Sequence, residues 1–387
     1  MQEKINEREG YLPLIPFFKG IAILMIILVH SSQKVGLTDV QRLVPRFGQM
    51  GCQIFFVLSA FSLCLSMERK KQSYGQFLFK RIAKIWPSWI VIIIIYIILG
   101  SCSMLIEGRN VFNNDLKPLD ILLNVVLLNG LIPTAANNLV VRGGWFVGTI
   151  MLLYIITPLL FKIFNLQLRW WEKSRVYLFP IIIIGGTCLF SALLGAYDAR
   201  FQIYNNNFWY FFIINQVGSY SLGFTLFELY RTNKIKLVKI PIIKMIILLA
   251  GSIFLFYSDI SCAFVFVPAV FSASFLYLYI IADKYCTITK LKNNKLTKIV
   301  NAYGKQSFSI YLTHSFIVYD GMLLIRKGCE MLSINMTPII LYIALLPLIY
   351  IATYYLGKVF TYIMDKLVNI CKKIVARKEK IDYGNEN

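Results

Sequence analysis

The 387-residue chain is 58% hydrophobic and only 15% charged, with 40 Lys and Arg residues against 19 Asp and Glu residues. Soluble domains carry about 25% charged residues, so this composition excludes a soluble globular enzyme and predicts a polytopic membrane protein. The formal charge of +21 would favour nucleic-acid binding in a soluble chain, but here the basic residues lie between long apolar segments. We therefore expect membrane lipids, and no nucleic acid, as partners.

Ten apolar segments have about the 20 residues that a helix needs to cross a bilayer. In chain order they are 13–33, 48–67, 85–106, 145–164, 176–196, 208–230, 240–258, 262–282, 307–325 and 338–364. The segment 119–132 is shorter and is interrupted by Asn124 and Asn129, so we interpret it as a non-crossing segment packed at the outer face. The sequence thus predicts an all-α protein with about ten transmembrane helices.

The distribution of Lys and Arg predicts the orientation of these helices. Basic residues are concentrated in alternate loops, such as 68–84 and 231–241. Since cytoplasmic loops are enriched in Lys and Arg, we expect both termini in the cytoplasm. The chain then consists of a cytoplasmic N-terminal segment (1–12), one membrane domain (13–365) and a basic cytoplasmic tail (366–387).

Both histidines of the chain lie in apolar segments, His30 late in the first and His314 about a third of the way along the ninth. Ionisable side chains at membrane depth are costly and usually face the bundle interior or a wet cavity, so both are candidate catalytic residues. The alternative is a neutral imidazole hydrogen-bonded between helices. Asp320 either belongs to the same site or pairs with Arg326 or Lys327.

The eight cysteines lack a Cys-x-x-Cys pair and lie mostly in apolar stretches, so we expect them to pack within helices and to form no metal site.

Lys19 lies eleven residues before His30 in the first segment. Eleven residues turn a helix through about 1100°, which leaves the two side chains within about 20° of one face and about 16 Å apart along the axis. A cation and an imidazole on one wall suit an extended ligand with an anionic head and a reactive tip. The alternative for Lys19 is a snorkelling anchor at the membrane surface.

A second group of cations precedes the third apolar segment. In a helix, Lys80, Arg81 and Lys84 lie on one side because of their i, i+3 and i, i+4 spacings. Such a cluster can bind a phosphate or diphosphate through charge-assisted hydrogen bonds. The alternative is ordinary positive-inside topology beside an interfacial Trp86 and Trp89 pair.

Five phrases, in this order, resemble signatures of the acyltransferase 3 family of integral-membrane O-acyltransferases, over about residues 10–365. They are Phe18-Lys19-Gly20-Ile21-Ala22 followed by His30; Phe55-Phe56-Val57-Leu58-Ser59-Ala60-Phe61; Arg81 and Lys84 before Pro87; Gly143-Gly144-Trp145-Phe146-Val147-Gly148; and Ser307-Phe308-Ser309-Ile310-Tyr311-Leu312-Thr313-His314. The chain departs from the pattern where Lys19 and Lys84 replace the usual arginine, which keeps the charge but loses the bidentate fork. Ile150 stands where many members carry Glu.

The resemblance implies transfer of an acyl group, usually acetyl, from cytoplasmic acyl-CoA to a hydroxyl of a cell-surface polysaccharide or lipid-linked glycan, by a multi-pass protein of the cell (plasma or inner) membrane. Lys19, Lys80, Arg81 and Lys84 would then bind acyl-CoA. The imidazole of His30 would act as general base or briefly carry the acyl group, with His314 as the second catalytic histidine. The main alternative is a transporter or flippase for lipid-linked oligosaccharide, although no internal repeat of the kind typical of transporters is visible.

Overall fold

The computed structural model of the chain describes residues 14–70, 72–106, 118–131, 140–170, 176–201, 210–258, 260, 263–285, 294–333 and 336–384. Within these residues the protein is all-helical, without a β-strand, as its composition predicts. The α-helices are α1 (Leu14–Ser31), α2 (Asp39–Phe47), α3 (Gly51–Arg69), α4 (Tyr74–Ile106), α5 (Pro118–Val125), α6 (Trp145–Trp170), α7 (Leu178–Phe201), α8 (Ile213–Arg231), α9 (Pro241–Tyr257), α10 (Ala263–Tyr285), α11 (Lys295–Lys305), α12 (Ser307–Ser315), α13 (Met322–Met331) and α14 (Pro338–Gly384). A π-helical turn, Phe316–Gly321, joins α12 to α13.

Seven helical stretches of the described residues are long and apolar enough to cross a membrane. They are Leu14–Ser31, Asp39–Arg69, Tyr74–Leu99, Trp145–Trp170, Val265–Tyr285, Ser307–Met331 and Pro338–Ile370. Each of the ten apolar segments overlaps a helix, but two of them form shorter apolar helices, Leu178–Leu194 and Pro241–Tyr257. The apolar segment 208–230 forms α8. This helix is mostly buried among its neighbours, so it can carry more polar residues than a helix that faces lipid. The count of ten crossings and the side of the termini stay predictions.

Helix α1, which carries Lys19 and His30, lies at the centre of the bundle in contact with α3, α11, α12 and α14. It meets α11 so closely that the backbones nearly touch. A Cβ atom added at Gly304 would lie 1.7 Å from the carbonyl oxygen of Pro16, and one added at Gly20 would lie 2.0 Å from that of Val300. Small residues allow such close packing between membrane helices. The position of α1 is therefore fixed by glycine contacts at its N-terminal half.

The described part of the segment 119–132, up to residue 131, is too short to cross a bilayer, as its length predicts, and its place at the outer face stays a prediction. It forms α5, whose eight residues span only about 12 Å, followed by turns to residue 131. Trp89 Nε1 donates to the carbonyl oxygen of Asn124 at 2.8 Å, and both residues are fully buried. Asn129 packs against Gly148 of α6. The segment is thus inserted between α4 and α6, and Trp89 is a buried residue rather than an interfacial anchor.

The last helix, α14, is longer than the apolar segment 338–364 predicts. Residues 1–12 lie outside the described residues. Helix α14 runs without interruption from the last apolar segment through residue 384, so the start of the tail at 366 is not marked by a helix end. Three cysteines, Cys52, Cys64 and Cys188, are buried and unpaired within helices, as expected for packing residues.

Candidate active site

A cavity of about 130 Å³ opens among α1, α3, α4, α6 and α12. Three of the four cations that the sequence singles out line it: Lys19 from α1, and Arg81 and Lys84 from the first turns of α4. The rest of its wall is mostly apolar and aromatic, formed by Phe55, Ser59, Ile85, Phe146, Val147, Ile150, Tyr154, Ser307, Phe308 and Tyr311. We call this space the cationic cavity. Ile150 occupies a wall position and gives it an apolar surface.

Within the described residues, no Asp or Glu forms an ion pair with Lys19, Arg81 or Lys84. The buried Nε of Arg81 also has no hydrogen-bond partner in this part of the chain. Three cations that share a cavity without a carboxylate repel one another, and an anion would relieve that repulsion. The cavity therefore has the charge and the free donors that a phosphate group requires.

Lys80 is not brought into this group. Its ammonium donates to Oε1 of Gln72 at 3.0 Å, and the side chain is exposed. Successive residues of a helix point about 100° apart, so the neighbour of Arg81 faces away from the cavity. The i, i+4 spacing of Lys80 and Lys84 alone did not reveal this, because it does not say which face of α4 meets α1.

The two histidines, 284 positions apart in the chain, meet inside the bundle. Their ring centroids lie 5.1 Å apart with an interplanar angle of 40°. His314 is only 1% exposed, and its Nδ1 donates to the carbonyl oxygen of Tyr311 at 2.6 Å. A carbonyl oxygen can only accept, so a neutral His314 ring carries its proton on Nδ1 and has its free lone pair on Nε2. That Nε2 is buried and has no partner among the described residues.

His30, in the last turn of α1, is held by two polar side chains. Its Nδ1 lies 2.6 Å from the hydroxyl of Tyr319 and 3.3 Å from Oε1 of Gln33. The other ring nitrogen faces Gly143, whose φ is +74°. A Cβ atom at Gly143 would lie 3.6 Å from His30 Nε2 and 3.9 Å from Cε1 of His314. The absence of a side chain at Gly143 thus leaves open the space in front of both rings, and Tyr311 holds that glycine by donating to its carbonyl oxygen.

A second and larger cavity, of about 570 Å³, lies on the other side of the histidines. We call it the distal cavity. It is lined by Gln33, Lys34, Arg142, Gly143, Tyr319, Asp320 and Leu323. Asp320 is part of its wall and pairs with Arg142 at 2.6 Å, not with Arg326 or Lys327. Arg326 instead pairs with Glu330 at 3.1 Å.

Tyr311 and Gly143 connect the two cavities. Tyr311 lines the cationic cavity, and its hydroxyl bonds Gly143, which lines the distal cavity. Neither His30 nor His314 is part of either wall; both lie between the two spaces. Two substrates that entered from the two cavities would therefore meet at the imidazoles. A ring nitrogen with a free lone pair at that point can accept a proton from a hydroxyl.

The sequence did not indicate Tyr319, although it is only five residues after His314. In an α-helix, five residues turn through about 140° beyond a full turn, which places the two side chains on different faces. The π-helical turn Phe316–Gly321 widens the spiral and brings Tyr319 beside His30. Such turns are frequent at functional sites but have no reliable sequence signal. Gln33, by contrast, lies in the turn directly after α1, only three residues from His30, so its closeness in the sequence could have identified it.

This arrangement, an apolar helical bundle that encloses cations and a pair of imidazoles, defines a multi-pass membrane protein with an internal polar site. A family model described as an acyltransferase domain (Acyl_transf_3) matches residues 15–358, nearly the whole chain. The chain therefore belongs to the acyltransferase 3 family and is a membrane acyltransferase. Comparisons with curated proteins and with solved structures give no significant match.

Proposed function

We propose that this protein is an O-acyltransferase of the cell (plasma or inner) membrane, which moves an acetyl group from cytoplasmic acetyl-CoA to a hydroxyl of a cell-surface polysaccharide or of its lipid-linked precursor. Membership of the acyltransferase 3 family supports the transfer of an acyl group. The observation that carries the finer assignment is the position of the two histidines between a cationic cavity and a distal cavity.

The cationic cavity fits the donor. Acyl-CoA is an extended thioester with an anionic phosphate head, and Lys19, Arg81 and Lys84 supply charge-assisted donors for such a group. Helix α1 is unbroken from Lys19 to His30, so the cation and the imidazole are about 16 Å apart along the helix axis. A donor with its phosphates at the cations can therefore extend its thioester towards the imidazoles. Lys80 lies outside the cavity, and we do not include it in the donor site.

The distal cavity fits the acceptor. Its larger volume and its mixed lining of amide, cationic, acidic and aromatic side chains suit a hydroxyl-rich glycan. The hydroxyl would approach the space in front of Gly143, where His30 Nε2 lies. Both substrates would then reach the same pair of rings from opposite sides.

The reaction can be written with the imidazole as general base. His30 Nε2 takes the proton of the acceptor hydroxyl while the hydroxyl oxygen attacks the thioester carbonyl carbon. The carbon–sulfur bond then breaks, and the leaving thiolate takes the proton back from the imidazolium. The products are the O-acyl ester and free CoA. A short-lived acyl-imidazole is the alternative route with the same balance.

The test is the His30→Ala variant, assayed for release of free CoA and for acyl groups on the acceptor. General-base catalysis contributes about 10²- to 10⁴-fold, so we expect acceptor acylation to fall by at least about 100-fold. Elution on size exclusion and the unfolding midpoint should match the wild-type protein. Unchanged acylation in a correctly folded variant would refute the role of His30. Mass spectrometry of the surface glycan, with and without the protein, should show a difference of one acyl unit.

The donor site has a matched pair of variants. Arg81→Ala removes a cation from the cavity wall, whereas Lys80→Ala removes the adjacent, exposed cation that bonds Gln72. We expect Arg81→Ala to raise the KM for acyl-CoA about tenfold, in line with the loss of one charge-assisted contact, and to leave the KM for the acceptor unchanged. Lys80→Ala should change neither. Equal effects of the two substitutions would show that the cavity does not bind the donor.

A further inference from the structure

We propose that Tyr319 and Gln33 are positioning residues that hold His30 in the tautomer with its proton on Nδ1, so that Nε2 is the basic nitrogen facing Gly143. The proposal rests on the proposed function, because it concerns the histidine to which that function assigns proton transfer. It adds two residues that neither apolar patterning nor the family signatures indicate.

Three polar atoms form a closed triangle. The Tyr319 hydroxyl oxygen lies 2.6 Å from His30 Nδ1 and 2.5 Å from Gln33 Oε1, and Nδ1 itself lies 3.3 Å from Oε1. An amide oxygen can only accept a hydrogen bond, so the phenolic proton of Tyr319 points to Gln33. The hydroxyl oxygen then has its lone pairs directed at Nδ1, which must supply the proton for that bond. A neutral imidazole carries one proton, so Nε2 is left with its lone pair.

The surroundings hold Tyr319 in this orientation. The ammonium of Lys34 and the guanidinium of Arg142 each lie 5.9 Å from the centre of its ring, in the range of cation–π attraction. Its backbone belongs to the π-helical turn that displaces it from the α-helical position. The phenol is thus fixed by ring contacts that do not depend on its hydroxyl.

This tautomer is the one that the reaction needs. The proton of the acceptor hydroxyl arrives at Nε2, and the imidazolium so formed still donates from Nδ1 to the Tyr319 oxygen. When Nε2 returns its proton to the CoA thiolate, the ring regains its starting form with Nδ1–H unchanged. The bond made by the second ring nitrogen generally sets which nitrogen is free for chemistry.

The kinetic test removes only the hydroxyl. Tyr319→Phe keeps the ring and its contacts with Lys34 and Arg142, and we expect kcat to fall about 10- to 100-fold, with the KM for acyl-CoA changed less than about twofold. The control is Tyr342→Phe. The Tyr342 hydroxyl donates to the carbonyl oxygen of Leu28, on the same helix as His30, at 3.1 Å. An equal loss in both variants would mean that loosening α1 is responsible, and would overturn the proposal.

A variant at the amide tests the direction of the bonds. Gln33→Glu keeps an oxygen that only accepts, whereas Gln33→Lys places a donor there, so we expect kcat to fall further in Gln33→Lys, by about as much as in Tyr319→Phe. The opposite order would show that the amide donates to Tyr319, and that His30 carries its proton on Nε2.

A spectroscopic measurement separates this proposal from the proposed function. The chain has only two histidines, so ¹⁵N-histidine labelling gives two ring systems, and the His30→Ala spectrum identifies which is which. At a pH where the rings are neutral, we expect His30 to show protonated Nδ1 and unprotonated Nε2, and to lose this pattern in Tyr319→Phe. Protonated Nε2 in an active enzyme would refute the positioning proposal alone. The expected tautomer in a protein whose His30→Ala variant stays fully active would instead refute the proposed function.

Discussion

Replacing Gly143 with alanine tests whether the space in front of His30 Nε2 is where the acceptor hydroxyl approaches. The new Cβ would lie 3.6 Å from that nitrogen and 3.9 Å from Cε1 of His314. A hydroxyl that gives its proton to Nε2 must come within about 2.6–3.2 Å of it. The methyl group would therefore occupy the approach to both rings.

The substitution has two separable costs. The first is conformational: a φ of +74° lies in the left-handed region, where a side chain costs about 1–2 kcal/mol. The second concerns the reaction, because displacing a reacting group by about 1 Å can lower the rate about 10²-fold. We therefore expect Gly143→Ala to lower kcat/KM about 100-fold, equivalent to about 2.7 kcal/mol of transition-state stabilisation.

Gly36 offers the matched control, since its φ is +81° and the nearest atom to its added Cβ is the side chain of Pro338, at 4.0 Å. Gly36→Ala should lose a similar free energy of unfolding and keep its activity. The assay is release of free CoA thiol by purified protein given acyl-CoA and acceptor, with thermal unfolding recorded in parallel. If Gly143→Ala retained a third or more of the wild-type kcat/KM, or if both variants lost activity equally, the open space would have no role in catalysis.

Three further predictions concern stability. Trp89→Phe should lower the free energy of unfolding by about 1–3 kcal/mol, because the fully buried indole loses its hydrogen bond and leaves a void, and the carbonyl of Asn124 keeps only its 3.2 Å bond from the Leu127 N–H; chemical denaturation measures this loss. Gly304→Ala should lower the unfolding midpoint or abolish folded yield on size exclusion, because the methyl would overlap a backbone carbonyl of α1, and an unchanged midpoint would refute that close contact. Arg231→Met should lower the free energy of unfolding by about 3–5 kcal/mol, since the carboxyl group of Glu228, whose side chain is 3% exposed, would lose its ion pair; a loss below about 1 kcal/mol would contradict this.

The helices were predictable from the sequence because their cause is local. A segment in lipid must satisfy its backbone hydrogen bonds within itself, so a long apolar run becomes a helix whatever surrounds it. Every one of the ten apolar segments accordingly overlaps a helix. The relation of Lys19 to His30 was predictable for the same reason, since both belong to one unbroken helix whose geometry fixes their angle and separation.

Other features were not predictable from the sequence, because contacts between distant parts of the chain decide them. The position of 119–132 depends on a buried bond between α4 and α5, and length alone gives no sign of that bond. Asp320 finds its partner in Arg142, 178 positions away, rather than among the nearby cations that the sequence offered. Short spacing is a poor guide to ion pairs when helices from distant parts of the chain meet.

The sequence by itself thus determined the class of protein, the helices, and the candidate histidines and cations, because hydropathy and helical periodicity are properties of short stretches of chain. Only the tertiary structure decided that His30 meets His314, that Lys80 points away while Arg81 points in, and that Tyr319 and Gly143 complete the site. These depend on which faces of helices pack together and on a π-helical turn that breaks the regular period. Both are set by contacts between residues far apart in the chain.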